Sequence, residues 1–516
     1  MKINLSIIIF CSIMCNCNLI SAQYTKQWAA AYGAYPNSYE HTSYIAIDTA
    51  EQFVYTLVLS DSMSIFSNIL LKHRIDNGQQ IWEKRLESAD LTNKMCLDNE
   101  QNIYICGHSI DATSTSHFWV AKYNTYGILM WKKSFDDSLS YHIQSAYSVV
   151  ADALGSIYII GIYNRNEITK NISVIVKYDS LGNKLWSQEY PDTLQEVGLL
   201  KIDRQNNVYA LNYSGFSVAK YSSQGILQWI TKVPFNANEH ALANLITTDS
   251  SDNLYIMGTI HYYNNIFGYE VARVNNDGVF ACVKKNFPTY ISFGDVSCNL
   301  LVDKSQNNII ISGITDPNTE KDLVYKLNSS TGQEIWQLEI PNTYNSHIIA
   351  INKQNNLLCL DNNDSGGKYI LWLTEYNNNG IKTYSQKLDS STTKAFTRHI
   401  IVDRKDNILQ AAMDGDIQIA QYTLNNTSIK NLENKTAIYS VYPNPFNTSI
   451  TFKTENRFIE EAFLTLFDPT GKEVLQQTFN NSNTITINRK QLFSGIYFYT
   501  IRSENVVLQS GKIMAK

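Results

Sequence analysis

Between Gln23 and Asn426 the chain is a succession of short apolar runs separated by polar clusters of Asn, Asp, Ser, Thr and Gly. Runs such as "VAKYN" (Val120 to Asn124) put alternate residues on opposite faces, the period of a strand. They are rich in Tyr, Ile, Val and Thr and are bounded by turn residues, which predicts an all-β chain. The pattern recurs. Glycine is followed four residues later by tryptophan in "GQQIW" (Gly78, Trp82), "GILMW" (Gly127, Trp131), "GNKLW" (Gly182, Trp186), "GILQW" (Gly225, Trp229) and "GQEIW" (Gly332, Trp336). "GVFAC" (Gly278, Cys282) and "GIKTY" (Gly380, Tyr384) are degenerate copies in the gaps. The glycines are spaced 49, 55, 43, 53, 54 and 48 residues apart, a period of about 50.

A second mark keeps the same period. An apolar strand ends in Asp, a few polar residues follow, and a new apolar strand begins, as in "KIDRQNNVYAL" (Asp203), "LVDKSQNNIIISG" (Asp303) and "IVDRKDNILQA" (Asp403). Further copies centre on Asp48, Asp98, Asp152, Asp249 and Asn352, which makes eight. Each unit reads as four strands. The Asp turn joins the first two, a longer loop leads to the third, and the glycine turn leads to the fourth. Asp and Asn accept backbone N–H bonds in tight turns, and Gly or Asn tolerates positive φ there. Tryptophan supplies large apolar area where sheets pack.

Four-stranded units repeated around an axis predict a β-propeller. The eighth unit has only three strands, the last being "IQIAQYTLNN" (Ile417 to Asn426). Its missing fourth strand is supplied by "QWAAAYG" at the other end of the chain, with Trp28 in the tryptophan position. The expectation is an eight-bladed β-propeller closed by an N-terminal strand, which removes the open edge. Trp28, Trp82, Trp131, Trp186, Trp229 and Trp336 are the expected packing residues of the repeat.

"YDSLGNKLW" and "LNSSTGQEIW" resemble the tryptophan-docking motif of pyrroloquinoline-quinone enzyme propellers. The "D…NIYIxG" half is similar to the β-propeller repeats of bacterial surface proteins, often called SBBP repeats. The resemblance covers about 23–426 and implies a fold, not a chemistry. The quinone enzymes carry a vicinal cysteine pair, and this chain has no adjacent cysteines.

After residue 426 the repeat stops. The polar segment 427–440 is read as a linker, and 441–516 as a small antiparallel β-sandwich with strands at "SITFK", "FLTLF", "TITIN" and "IYFYTI". "DPTG" (Asp468 to Gly471) is the expected hairpin turn. This stretch resembles the type A C-terminal sorting domain of the type IX secretion system of certain Gram-negative bacteria. The matching pieces are "YPNP" (Tyr442, Pro443, Asn444, Pro445), "FDPTGKEV" (with Asp468 and Gly471), "LFSGIYFY" (with Gly495 and Tyr497) and "GKIMAK" (with Gly511 and Lys512). The resemblance implies the type IX secretion machinery as a partner. It also implies outer-membrane translocation, removal of the sorting domain, and a product released or attached to surface lipopolysaccharide.

The first 22 residues fit that address. Lys2, the apolar "INLSIIIFCSIM" and the small-residue "ISA" read as a secretory signal cleaved between Ala22 and Gln23. No later segment reads as a transmembrane helix. Five cysteines, Cys96, Cys106, Cys282, Cys298 and Cys359, follow the leader at spacings of neither a disulfide scaffold nor a zinc site. The net charge of −5 offers no basic face for nucleic acid.

Nothing in the sequence indicates a cofactor or catalytic group. The nine histidines form no H-E-x-x-H or similar metal pair, and no G-x-S-x-G elbow is present. His108 and His117 are read as solvated loop residues. "DNNDSGGKY" (Asp361 to Tyr369) begins like a calcium loop, but position twelve is Trp372 rather than the glutamate such a loop needs. The expected role is non-catalytic binding or scaffolding outside the cell, with a protein or glycan ligand. The alternatives are an extracellular enzyme acting on glycans or peptides, with carboxylates converging on the axial mouth, and a purely structural envelope protein. Acidic residues gathered in the central pocket would favour the enzyme, and an axis of apolar and amide side chains the binder.

Overall fold

In a computed structural model the structure describes residues 23–425 and 439–516, apart from 33–38, 63–64, 87–89, 111–115, 136–143, 165–170, 191–196, 213–215, 234–238, 263–266, 290–298, 304–307, 316–321, 341–347, 365–368, 392–395, 415, 455–460, 470–471, 481–483, 490–491 and 504–505. Ala22 and most of the expected linker lie outside the described residues, as does Gly471. The chain divides into two compact units, Met1–Asn426 and Thr427–Lys516.

The first unit holds eight four-stranded antiparallel sheets, here numbered I to VIII in chain order. Seven are consecutive in sequence: I (39–85), II (90–134), III (144–189), IV (197–232), V (239–289), VI (299–340) and VII (348–391). Sheet VIII is built from both chain ends: Phe396–Val402, Ile408–Asp414 and Asp416–Asn425 are joined by the N-terminal strand Gln23–Tyr32. That strand pairs antiparallel with Asp416–Asn425, Gln23 opposite Asn425 and Ala29 opposite Ala420.

Each sheet packs on the next. Tyr55, Leu57 and Leu70 of sheet I share one core with Met95, Ile105 and Trp119 of sheet II. Leu358 and Leu373 of sheet VII meet Tyr24, Ile408 and Tyr422 of sheet VIII. Trp28, Leu409 and Ala411 of sheet VIII meet Val54, Val58 and Leu71 of sheet I, which returns the series to its start. Eight such cores make a cyclic, propeller-like arrangement. Because both faces of a sheet are covered, the central strands are apolar almost throughout, as in "IYII" of Ile157 to Ile160. Successive residues then serve opposite neighbours: Ile408 faces sheet VII and Leu409 faces sheet I. Burying one such side chain stabilises by about 1.5–3 kcal/mol.

First strands touch first strands all the way round, so they line the common axis. In six of them the ladder skips one residue: Ser43, Asn93, Tyr147, Gly198, Asn244 and Arg398. Such bulges bend a strand and re-aim a side chain.

The second unit packs a three-stranded sheet (Ser440–Tyr442, Ser449–Lys453, Thr484–Asn488) against a four-stranded one (Glu473–Asn480, Glu461–Phe467, Gly495–Ser503, Val506–Ala515). Phe446, Ile450, Phe452, Leu464, Leu466, Tyr499 and Ile501 fill the core between them.

Candidate functional site

The tryptophans join neighbouring sheets. Each indole N–H donates to a turn carbonyl of the next sheet: Trp28 to Ile75 at 2.7 Å, Trp82 to Thr125 at 3.1 Å, Trp131 to Ser180 at 3.2 Å. Trp186 reaches Ser223 at 3.2 Å, Trp229 reaches Asn276 at 3.1 Å and Trp336 reaches Asn378 at 3.0 Å. The ring lies over the glycine of that turn. At Gly182 (φ +83°) a Cβ would come within 2.9 Å of the Trp131 ring, so both conformation and space require glycine.

In sheets I to III a lysine of the third strand reinforces this contact. Lys72, Lys122 and Lys177 each donate at 3.0 Å to the next sheet's turn, to Thr125, Ser180 and Ser223. Within its own sheet the lysine meets the turn aspartate: Lys177 lies 3.3 Å from Asp152, Lys220 3.1 Å from Asp203 and Lys326 2.8 Å from Asp303, all buried. A tyrosine completes the set. Tyr104 donates to Asp98 at 3.0 Å and Tyr255 to Asp249 at 2.9 Å. Burial, and then the charge of Asp98, pushes the Tyr104 phenol far above its ordinary range. These aspartates are therefore bound up in structure: Asp203 also accepts from the backbone N–H of Gln205 and Asn207 and from the Asn207 amide.

The Asp turns gather at one end of the axis. Among the described residues the third residue after the turn Asp or Asn is left-handed, including Glu51 (φ 53°), Gln101 (φ 67°), Asn206 (φ 63°), Asp252 (φ 58°), Asn355 (φ 59°) and Asp406 (φ 61°). At five of these turns its side chain clasps the preceding sheet. Gln101 accepts from Thr49 N–H at 3.3 Å, Asn206 from Ala153 N–H at 3.3 Å, Asp406 from Lys353 N–H at 2.9 Å and Glu51 from Arg404 N–H at 2.9 Å. Asp252 instead takes the Arg204 guanidinium at 3.3 Å. Gly155 has no side chain for this, and Asn99 reaches across to Ala153 O at 3.2 Å in its place.

A pocket of about 500 Å³ opens among these turns in sheets VI, VII, VIII and I. Its apolar lining is Val302, Ile351 and Val402, each preceding its turn residue, and its polar lining includes Glu51, Lys353, Asn355, Arg404 and Asp406. Four residues before the turn, about 13 Å along a strand, sheets VIII, I and II each contribute one side chain: His399, Tyr44 and Lys94. The Tyr44 and His399 ring centroids are 6.4 Å apart, and the Lys94 ammonium lies 5.2 Å from the Tyr44 ring centroid. Burial lowers the Lys94 pKa and raises that of Tyr44. The skipped residues Asn93 and Asn244 are exposed, and Tyr147 is 42% exposed. Among the described residues no group of three or more His, Cys, Asp and Glu could hold a metal ion.

His108 and His117 correct the sequence reading. Both stand on strands, Ile103–Ile110 and Ser116–Tyr123, because these continue past Gly107 as a paired ladder. His108 Nδ1 lies 3.2 Å from Ser145 Oγ, and burial lowers its pKa. Asp361 is a buried strand residue, and Ser365 and Gly366 lie outside the described residues.

In the C-terminal unit, Tyr442 to Pro445 dock on the last strand. The Asn444 amide donates to Lys512 O at 3.0 Å and accepts from Met514 N–H at 2.9 Å. Phe446 N–H donates to Met514 O, and Lys516 N–H to Phe446 O, both at 2.9 Å. Tyr442–Pro443 and Asn444–Pro445 are cis peptides. A Cβ at Gly511 would lie 2.7 Å from the Tyr499 ring. The Tyr497 hydroxyl donates to Phe493 O at 3.0 Å, Gly495 has φ +154°, and Asp468 Oδ1 accepts from Lys472 N–H at 3.0 Å.

Residues 440–516 match the family of secretion system C-terminal sorting domains. This makes the chain a secreted or surface-exposed protein that carries a type IX sorting domain. No helix among the described residues is long and apolar enough to cross a membrane. No curated protein matches the chain. Among solved structures it is similar to the exotype rhamnogalacturonan lyase YesX, at 10% identity over 77% of this chain and 75% of that one, with a TM-score of 0.44. It is also similar to the polysaccharide lyase Uly1, at 10% identity over 79% and 98%, with a TM-score of 0.39. A protein of unknown function from Bacteroides caccae matches at 10% identity over 64% and 93%, with a TM-score of 0.33.

Proposed function

We propose that the protein is a non-catalytic extracellular binding or scaffold protein. In this reading an eight-bladed, SBBP-like β-propeller is delivered through the type IX machinery by its C-terminal sandwich. Tyr442 to Pro445, Asp468, Gly471, Gly495, Tyr497, Gly511 and Lys512 form the sorting signature, and the leader is cut between Ala22 and Gln23. The observation that carries the binding reading is where the carboxylates go. Asp98, Asp152, Asp203, Asp249 and Asp303 are held by lysines, tyrosines and turn N–H groups. Glu51 and Asp406 are held in the clasps between turns. What the axis offers a ligand is amide, aromatic and cationic: Asn93, Asn244, Tyr147, Tyr44, His399 and Lys94.

The test is a thermal melt of the secreted chain against pools of glycans and peptides, with product analysis of the same samples. Ligand at a hundred times its Kd should add about 2.7 kcal/mol, with no product formed. Turnover of any pool member would replace this reading with the enzymatic one.

A further inference from the structure

We propose that the axial channel at the level of His399, Tyr44 and Lys94 binds an organic anion, a carboxylate carried on an aliphatic body, with Lys94 as its counter-ion. The proposal names a ligand class for the axial site and rests on the binding reading above.

The argument starts from an uncompensated charge. Lys94 stands on the first strand of sheet II, next to the skipped residue Asn93, with its backbone opposite Cys106. Its described neighbours are the Tyr44 ring, whose centroid is 5.2 Å from the ammonium, and the thiols of Cys96 and Cys106. Burial pushes both thiols up, Cys106 to about 12, so neither supplies an anion at neutral pH. The ammonium has no carboxylate or hydrogen-bond partner among the described residues, in contrast to Lys177, Lys220 and Lys326, each of which meets an aspartate. A partly desolvated ammonium without an anion is costly, and a bound anion removes that cost.

The surroundings narrow the class. The Tyr44 ring stands beside the ammonium and the His399 ring beside Tyr44, so the charged end of a ligand meets polar groups on one side. On the opposite side of the cycle the residues at the same strand position, four before Asp203 and Asp249, are Leu199 and Leu245, both half-buried and packed at the inner edges of the cores between sheets IV and V and between V and VI. One side suits a carboxylate and the other an aliphatic chain.

The probes are hexanoate, hexanol as its neutral counterpart, and sulfate, read by calorimetry and thermal shift on the full secreted chain. Hexanoate should bind and raise Tm, and hexanol should not. Lys94→Met should weaken hexanoate binding about ten- to a hundredfold, the worth of a hydrogen bond to a charged group. Without ligand, Lys94→Met should melt at or above the wild-type temperature, because it removes an unpaired charge. Tyr44→Phe, which keeps the ring, should weaken binding a few-fold and serves if Lys94→Met does not fold. Equal binding of hexanoate and hexanol, binding of sulfate alone, or hexanoate binding unchanged in both variants would overturn the proposal. So would no binding of hexanoate. If the glycan and peptide pools still shift the melt in that last case, the binding reading stands and only this ligand class falls.

Discussion

Two kinds of junction hold the sheets together, and their difference shows what the repeat is for. At six junctions a tryptophan from one sheet lies over the turn of the next and donates its indole N–H to it. At the junction of sheets VII and VIII there is no such turn to receive it, because sheet VIII is made from the two chain ends. Tyr384 takes the tryptophan position there, and Gln386 does the holding. Its amide accepts from Tyr24 N–H at 2.9 Å and donates to Tyr24 O at 2.7 Å, and Lys26 pairs with Asp389 close by. The repeated device works at six of the seven junctions where the chain is continuous; at the seventh, between sheets V and VI, Cys282 stands in the tryptophan position. At the seam a side chain grips the backbone of the closing strand instead.

The largest expected effect tests the repeated junction. Trp186→Ala removes the ring over Gly225 and the bond to Ser223 O, and should cost about 3–5 kcal/mol in denaturant melts. A cost under 1 kcal/mol would mean that the indole is not what joins sheets III and IV.

The next effect is set by pH. His73, on the third strand of sheet I, is 2% exposed, and burial lowers its pKa to about 4. The unfolded chain takes up a proton near pH 6.5 while the folded one does not, so stability present above pH 6.5 is lost as pH falls toward 4. The loss should approach about 3 kcal/mol. Melts of His73→Gln across this range should be flatter than wild type, and parallel curves would contradict the assignment.

The seam comes third. Gln386→Ala deletes two hydrogen bonds to Tyr24 and should cost about 1–3 kcal/mol. Amide exchange should rise first in Gln23–Tyr32, and a uniform rise would show that the seam is no weaker than the other junctions. Smallest is Gly155→Asn, which gives sheet III the clasp side chain it lacks. The site has φ +78° and nothing closer to a Cβ than 3.7 Å, so the melt should move by no more than about 1 kcal/mol. A large loss would mean that the glycine is needed for another reason.

The repeat was legible because its marks are local. Gly182 and Trp186 stand four residues apart, and Asp203 and Asn207 close one turn, so spacing alone exposes them. The lysines were not legible. In "VAKYN" the alternation makes Lys122 look solvated, but the turn of sheet III, at Ser180, covers it from 58 residues away. The axial grouping of His399, Tyr44 and Lys94 was hidden for the same reason, since each comes from a different sheet. His108 and His117 were misread as loop residues because the sequence does not show that pairing continues beyond Gly107.

The most direct test of the account is the melt of the chain lacking 23–32, alone and with the synthetic peptide QYTKQWAAAY. If this strand completes sheet VIII and closes the cycle, its deletion should lower Tm sharply and the peptide should restore part of the loss. An unchanged melt, or one the peptide does not move, would contradict closure by the N-terminal strand.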